Sequence, residues 1–451
     1  MQAILCSMKT AMTIAGVDSG GGAGIAADLK TFSALGVHGT CVITSLTAQN
    51  TKGVLNSFDI PTAFIKEQFD TVASDIKLDC VKTGMLSSPD IVSAVATLIK
   101  RQKLRLVIDP VMAAEAGGKL LKEEAVGVLI EELLPLAAVV TPNVSEAERL
   151  SGFKIRNMKE AEKAAKKIHD LGAKAVIVTG GHLEGTDILY TNGKFTYIVG
   201  DLVKGGTHGS GCTHSAALAA EIAKGTPLVE AAQLAKKFVE MAILAGVKIG
   251  GGAAPVNQVA HVLAEAERYH VLQNVVDAVE IIEKNMAVEL IPEVGCNIAM
   301  GITNASSISD VAAVSGRIVR LKGKPHAVGC VAFGASSHVA RIVLTAMQAD
   351  GSMKASLNLR YSKEALSACN ELGLRIATFS REDEPEGVST MEWGVSEAIN
   401  SVGRVPDAIC DKGDVGKEAM IRLLGKDAKE VAGRAVEIGA GMRNSSYTGA
   451  K

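Results

Sequence analysis

Two periods of apolar residues succeed each other along the first half of the chain. Short apolar runs at 10–17, 40–46, 79–83, 104–109, 137–141 and 174–179 predict strands. Between them apolar residues recur at helical spacing, as in Ile25, Leu29, Phe32 and Leu35. They predict helices there and at 63–74, 89–100, 123–133 and 159–171. Pro61 and Pro89 stand where helices begin. Asn192-Gly193, between segments 188–190 and 195–199, predicts a hairpin with a primed turn. Such strand–helix alternation predicts an α/β layer with a mainly parallel sheet, whose ligands collect at the carboxyl ends of the strands.

Helices at 212–224 and 228–247 close this region. Gly250-Gly251-Gly252-Ala253-Ala254-Pro255 interrupts the pattern, and a charged helical stretch follows at 256–284. A boundary near residue 268, to within about ten residues, divides the chain into domains 1–268 and 269–451. The second region mixes strands and helices with more loop.

Composition narrows the function. The 451 residues are 47% apolar and 21% charged, which excludes global disorder. Lysine and arginine number 47 against 49 acidic residues, so no net charge draws the chain to nucleic acid or a membrane surface. One Trp, five Tyr and nine Phe make no platform for stacking bases. The cysteines Cys6, Cys41, Cys80, Cys212, Cys296, Cys330, Cys369 and Cys410 form no C-x-x-C pair, which argues against zinc and for reduced thiols. The first twelve residues lack a signal-peptide layout, and no uncharged apolar run reaches the roughly 18 residues of a membrane span. A cytoplasmic protein is expected.

Four segments of the first region carry chemistry. Asp18-Ser19-Gly20-Gly21-Gly22-Ala23-Gly24 follows the first strand, where glycines allow close backbone approach to a ligand; a plain strand-to-helix turn needs the same residues. Thr207-His208-Gly209-Ser210-Gly211-Cys212-Thr213 opens an alanine-rich helix. Its free amides offer an anion hole over Gly209, Ser210 and Gly211, and the helix dipole favours a Cys212 thiolate. Asp109-Pro110-Val111-Met112 is an acidic strand end. In Thr141-Pro142-Asn143-Val144-Ser145-Glu146, Glu146 suits either the helix dipole or a water-mediated Mg²⁺.

These segments, with the run from Ala15 to Gly36, Ala48-Gln49-Asn50-Thr51 and Thr83-Gly84-Met85-Leu86, resemble the hydroxymethylpyrimidine and hydroxymethylpyrimidine-phosphate kinases of thiamine biosynthesis. The resemblance covers about 10–265. It implies a ribokinase-like fold and ATP-dependent phosphorylation of the alcohol and then of the monophosphate. It implies that Gln49 bonds the aminopyrimidine, with Gly16 and Met85 lining the pocket. Gly209 to Cys212 would form the anion hole, with Cys212 where many relatives carry an aspartate base. Asp109 and Glu146 would organise Mg²⁺ and ATP, the metal being held through phosphates. Thr179 stands where the family often has a phosphate-binding lysine, so either another cation such as Lys204 takes that part or the ATP site is weaker. The runner-up is a pyridoxal kinase-like enzyme.

In the second region, Asp310-Val311-Ala312-Ala313-Val314-Ser315-Gly316-Arg317-Ile318 precedes Phe333-Gly334-Ala335-Ser336-Ser337-His338-Val339-Ala340-Arg341. Ser336 or Ser337 reads as a helix N-cap, with Val339, Ile342, Val343 and Ala346 on the apolar face. His338 and Arg341 share another face, which with the helix amides suits a diphosphate. Arg360, Lys417 and Arg422 lie beside small residues, each read singly as a solvated charge or a phosphate contact.

With Ile291-Pro292-Glu293-Val294-Gly295, the segment from Asn358 to Ser362, Met391-Glu392-Trp393-Gly394 and the segment from Asp411 to Glu418, this region resembles the archaeal thiamine-phosphate synthase domain over about 275–448. The resemblance implies a three-layer α/β/α domain whose essential arginine and histidine fall on Arg317 and His338. It implies condensation of hydroxymethylpyrimidine diphosphate with hydroxyethylthiazole phosphate, releasing pyrophosphate. Ser315 replaces a frequent proline. Two rival readings make the domain a sensor of thiamine phosphates or an oligomerisation module. A homo-oligomer, first of all a dimer, is expected, with no nucleic-acid or membrane partner.

Overall fold

The computed structural model describes residues 8–113, 120–181, 183–385, 390–414 and 416–448. Cys6 and Val415 lie outside them. The chain divides into two compact units, Met1–Leu263 and Ala264–Lys451.

The first unit is built on a nine-stranded sheet: β1 (Thr10–Asp18), β2 (His38–Asn50), β3 (Gly53–Asp59), β4 (Cys80–Thr83), β5 (Leu106–Ile108), β6 (Ala137–Val140), β7 (Ala175–Val178), β8 (Asp187–Thr191) and β9 (Lys194–Ile198). Their order is β3-β2-β1-β4-β5-β6-β7-β8-β9. β2, β1, β4, β5, β6 and β7 run parallel, and antiparallel pairs close both edges. The parallel strands are apolar on both faces because helices cover both. Met12, Ile14, Val176 and Val178 pack with α2 (Thr62–Asp75), α3 (Pro89–Gln102), α4 (Glu123–Val128), α5 (Val144–Ser151) and α6 (Met158–Asp170). Ala11, Ala175 and Ile177 face α1 (Gly24–Ala34), α7 (Ser210–Lys224) and α8 (Leu228–Leu244). The hairpin turn is as expected, with Asn192 and Gly193 both at positive φ.

Some boundaries differ from the pattern. β2 runs on to Asn50 and pairs with β3, a largely exposed edge strand whose apolar residues Val54, Leu55 and Phe58 do not alternate. The stretch 123–133 leaves α-helical form after Val128, passing through a π turn at Leu129–Leu133 and a 3-10 turn over Leu134–Leu136, which contains Pro135. α8 stops at Leu244 because Gly246 lies against Gly206, where a Cβ would stand 2.5 Å from the Gly206 nitrogen.

The second unit carries a seven-stranded sheet. In chain order its strands are β10 (Ile298–Gly301), β11 (Val311–Val314), β14 (Val331–Phe333), β15 (Ala355–Arg360), β16 (Ile376–Thr378), β17 (Ala408–Asp411) and β18 (Met420–Gly425), with a separate hairpin of β12 (Ile318–Leu321) and β13 (Lys324–Ala327). The sheet order is β14-β11-β10-β15-β18-β17-β16, antiparallel except for β16 with β17. The helices are α9 (Ala260–Asn285, entering this unit at Ala264), α10 (Ser337–Ala349), α11 (Lys363–Glu371), α12 (Thr390–Val402) and α13 (Ala428–Thr448). The period-two pattern sorts the layers. Ile421 and Leu423 pack with α9, α11 and α13, whereas Leu424 and Ile409 pack with α10 and α12. Helices on both faces make the expected three-layer α/β/α sandwich.

Candidate active sites

Asp18 closes β1 and organises the glycine turn. Its carboxylate accepts the amides of Gly20 at 2.7 Å, Gly22 at 3.0 Å and Ala23 at 2.9 Å, and contacts His208 Nε2 at 2.9 Å. Burial alone would raise its pKa; the His208 contact and these amides outweigh burial and hold it below 3.8. His208 belongs to the second glycine segment, so Asp18 ties the two turns together. They meet backbone to backbone: a Cβ on Gly209 would stand 1.9 Å from the Gly22 carbonyl oxygen.

Gly209, at φ +86°, is the N-cap of α7. Thr213 N donates to the Gly209 carbonyl and Ser210 N to Thr207. Among the described residues the amides of Gly211 and Cys212 have no hydrogen-bond acceptor, and a Cβ on Gly211 would meet nothing within 4 Å. Two free N–H groups beside open space are suited to hold an anion, whereas the amide of Ser210, expected to join them, is spent on Thr207. The expected thiolate is corrected: burial pushes the Cys212 thiol up to about 12, with Lys82 opposing too weakly. The half-buried sulfur is protonated at neutral pH.

Behind these amides lies a buried charge cluster in which Asp109 and Glu146 were expected and Lys82 and Asp28 were not. Lys82, fully buried, bonds Asp28 at 2.9 and 3.0 Å and stands 3.8 Å from Asp109. Ser215 of α7 donates to Asp109 at 2.9 Å, linking the strand end to the helix start. Burial raises the Asp109 carboxyl, against the pull of Lys82. Glu146 is raised to about 8, first by burial and then by Asp109. Glu146 also closes a capping box, accepting Asn143 N at 2.9 Å while Asn143 caps its amide, so it serves the helix as well as the site. Asp28 and Lys82 are 54 positions apart, and no local pattern announces the pair.

Gly16 and Met85 come together: a Cβ on Gly16 would stand 3.0 Å from Met85 Sδ. Gln49 lies on β2 past the end of β1, its side-chain oxygen accepting Thr47 Oγ1 at 3.1 Å and its backbone N–H donating to Ser19 Oγ at 2.8 Å. Thr179 N donates to the Pro142 carbonyl at 3.0 Å, beside Asn143. Lys204 is exposed.

In the second unit, Asn297 shapes the turn that carries Arg317. Its side chain donates to the Val314 and Gly316 carbonyls at 2.9 and 3.1 Å and accepts Val314 N. The Arg317 guanidinium bonds the Val294 carbonyl. Gly295, at φ +80°, leaves room for it, since a Cβ there would stand 3.1 Å from Arg317 Cβ. Glu418 holds the same segment by accepting the amides of Glu293 and Val294. Asn297 shows no motif, and only the pairing of β10 with β11 reveals its part.

Ser336 is the N-cap of α10 by position, but its hydroxyl makes no capping bond, contrary to expectation. The apolar face of α10 is as expected. His338 keeps an exposed side, yet its pKa is lowered, first by partial enclosure and then by Arg422, Arg381, Arg317 and Arg341. Three of the four arginines expected or suspected at an anion site thus act on this histidine. Arg341 also pairs with Glu392 at 2.7 Å. Arg422 is not a solvated charge: it is 1% exposed and pairs with Asp411 at 2.6 Å, because its position on β18 points toward α10 and α12. Arg360 is exposed at the end of β15, and Lys417 is exposed with Glu384 3.7 Å away; neither is among the main charges acting on His338.

Residues 18–257 match the phosphomethylpyrimidine kinase family, and 274–437 match thiamine-phosphate synthase ThiN. The bifunctional thiamine biosynthesis protein ThiDN of Methanocaldococcus jannaschii is 36% identical over 427 residues, 93% of this chain and 96% of that protein. The thiamine biosynthesis bifunctional protein ThiED of Geobacter sulfurreducens is 46% identical over 258 residues, 56% of this chain, which spans about half (52%) of that relative. A solved pyridoxal kinase of Bacillus subtilis in complex with ADP superposes on 57% of this chain and 100% of its own, with a TM-score of 0.54 and 40% identity, and the first unit shares its ribokinase-like fold. The chain belongs to the phosphomethylpyrimidine kinase family and, matched over nearly its whole length, to the bifunctional proteins that join such a kinase to a thiamine-phosphate synthase domain.

Proposed function

We propose that residues 1–268 phosphorylate hydroxymethylpyrimidine and then its monophosphate, and that residues 269–451 condense the diphosphate with hydroxyethylthiazole phosphate. The observation that carries the kinase reading is the pair of free amides at Gly211 and Cys212, open to a ligand beside Asp109 and Glu146. A protonated Cys212 makes the amides, not a thiolate, the main support for the transferred phosphoryl group. Asp109 and Glu146 fit a divalent cation: two buried carboxyls of raised pKa sit together, and a cation would displace their proton. They would hold Mg²⁺ through its waters, and the ion would supply charge to neutralise the ATP phosphates. Gln49 bonds the pyrimidine by amide donor and acceptor, with Gly16 and Met85 as the wall.

In the synthase reaction the pyrimidine methylene carbon loses its C–O bond to the diphosphate, which departs with the electron pair. The thiazole nitrogen supplies the new bond. Arginines around the leaving group stabilise the charge that develops there, and His338, neutral beforehand, binds it or, once protonated from solvent as the diphosphate binds, passes that proton to it.

Incubating the full chain with ATP, Mg²⁺, hydroxymethylpyrimidine and hydroxyethylthiazole phosphate should yield thiamine phosphate and pyrophosphate. Pyrimidine diphosphate accumulating without thiamine phosphate would leave the second unit a sensor or assembly module. The likeness to a pyridoxal kinase favours one alternative for the first unit, and pyridoxal offered in place of the pyrimidine tests it.

A further inference from the structure

Asp411 at the end of β17 holds two guanidiniums. Arg381 Nε bonds Asp411 Oδ1 at 2.6 Å, and Arg422 Nη1 bonds Oδ2 at 2.6 Å. Arg381 Nη2 adds a longer bond to Oδ2 at 3.4 Å, and Gly413 N a further one to Oδ1 at 2.9 Å. All three side chains are deeply buried, with exposures of 8% for Arg381, 2% for Arg422 and 0% for Asp411. One carboxylate against two guanidiniums leaves a net positive charge inside the protein, a costly arrangement unless an anion arrives. Arg422 gives Nη1 to this pair. Phe379 lies beneath the Arg422 guanidinium at 5.4 Å. Gly394 lets that ring in, since a Cβ there would stand 2.5 Å from it. The cluster shares its sheet face with α10, and Arg422 and Arg381 are the first charges to act on exposed His338 at the start of that helix.

We infer that Arg381 is a further guanidinium of the diphosphate site, and that Asp411 is a positioning residue that holds Arg381 and Arg422 toward His338. The reaction this serves rests on the synthase reading; the affinity for a diphosphate does not. A single carboxylate fixes the angle of both planar forks without cancelling their charge, so the site is set before the ligand enters. Nothing in the motifs around Arg317 and His338 contains Arg381.

The test uses the full chain and inorganic pyrophosphate, with binding measured by calorimetry beside synthase and kinase turnover. Arg381→Ala should weaken pyrophosphate binding roughly 30-fold, the scale for truncating one partner of a buried charge pair. Arg381→Lys should recover part of this, because charge remains while the fork is lost. Asp411→Asn should still bind pyrophosphate but turn over slowly with little change in KM, a split that mere unfolding would not produce. Wild-type affinity and turnover in both Arg381 variants, with melting temperature and kinase rate intact, would overturn the inference. If Arg381→Ala melts early, Arg381→Lys decides alone, and undiminished affinity there counts against it. A chain that makes no thiamine phosphate yet loses pyrophosphate with Arg381 would retire the synthase reading and keep this one.

Discussion

Asp18 and His208, 190 positions apart, meet in a buried contact of 2.9 Å that fastens the two glycine turns of the kinase unit to each other. Asp18→Asn keeps the shape but offers one oxygen where two accepted amides. It should cost about 1–3 kcal/mol of stability, the range for buried donors left without partners. Because the folded carboxyl titrates below 3.8, its stabilising share is complete above that value and disappears as pH falls through the lowered one. Denaturant midpoints of wild type and variant should therefore converge in acid. A constant gap down to the lowest pH reached would show that the charge does not matter.

Gly211→Ala separates folding from catalysis. The added methyl meets no protein atom within 4 Å, and alanine favours the helix. The variant should melt at or above the wild-type temperature, by up to about 1 kcal/mol, while phosphorylation collapses because the methyl occupies ligand space. Cys212→Ala keeps both amides, so it should lower phosphorylation less than Gly211→Ala and leave the synthase rate on supplied pyrimidine diphosphate untouched. A wild-type kinase rate in Gly211→Ala would move the anion hole elsewhere.

The Glu146 carboxyl, at about 8, keeps its proton at neutral pH. A divalent cation must displace that proton, so the Mg²⁺ concentration for half-maximal kinase rate should fall as pH rises toward 8. Glu146→Gln keeps the capping bonds and should flatten this dependence. The raised pKa also means that Glu146 favours the fold most below 4.5 and loses that contribution as pH rises toward 8. The glutamine variant should consequently gain stability over wild type on the alkaline side.

Asn297→Ala should damage the synthase from a distance. It removes three bonds that set the turn before Arg317. Turnover should fall toward that of Arg317→Ala, itself roughly 30- to 1000-fold below wild type for about 2–4 kcal/mol of lost transition-state stabilisation. Arg317→Lys should recover only part. The kinase rate on the same preparations is the internal control, and a normal synthase rate in Asn297→Ala would release Arg317 from this turn.

His338 is neutral at neutral pH because enclosure and the guanidiniums of Arg422, Arg381, Arg317 and Arg341 lower its pKa; Asp411 and Glu392 offset three of them in part. A bound diphosphate cancels this repulsion and should bring a proton onto the ring. Pyrophosphate binding just below the ordinary histidine pKa of 6.5 should therefore take up protons, read by calorimetry in buffers of different ionisation enthalpy. His338→Asn should abolish the uptake. If the ring is the acid that serves the leaving group, this variant should turn over no better than His338→Ala.

Much of the plan was legible in the residues alone. The alternation of strand and helix over 10–250, the Asn192-Gly193 turn and the apolar face of Val339, Ile342, Val343 and Ala346 follow from local sterics and side-chain period, which need no partner. The glycine segments announced close approach because a missing Cβ can be read from a single letter. The long-range pairs were not legible: Asp28 with Lys82, Asp18 with His208, and Asp411 with Arg381 and Arg422. Each joins residues on different elements far apart in the chain, and a charged letter looks the same in solvent or in a core. Cys212 shows the reason most clearly. Its place in the first turn of a helix suggested a thiolate, but burial, a property of the packed whole, outweighs the dipole of one helix and keeps the proton on sulfur. Sequence determined where the backbone turns and which faces are apolar; the tertiary structure alone decided which charges meet, because that depends on strand order and on the water excluded between layers.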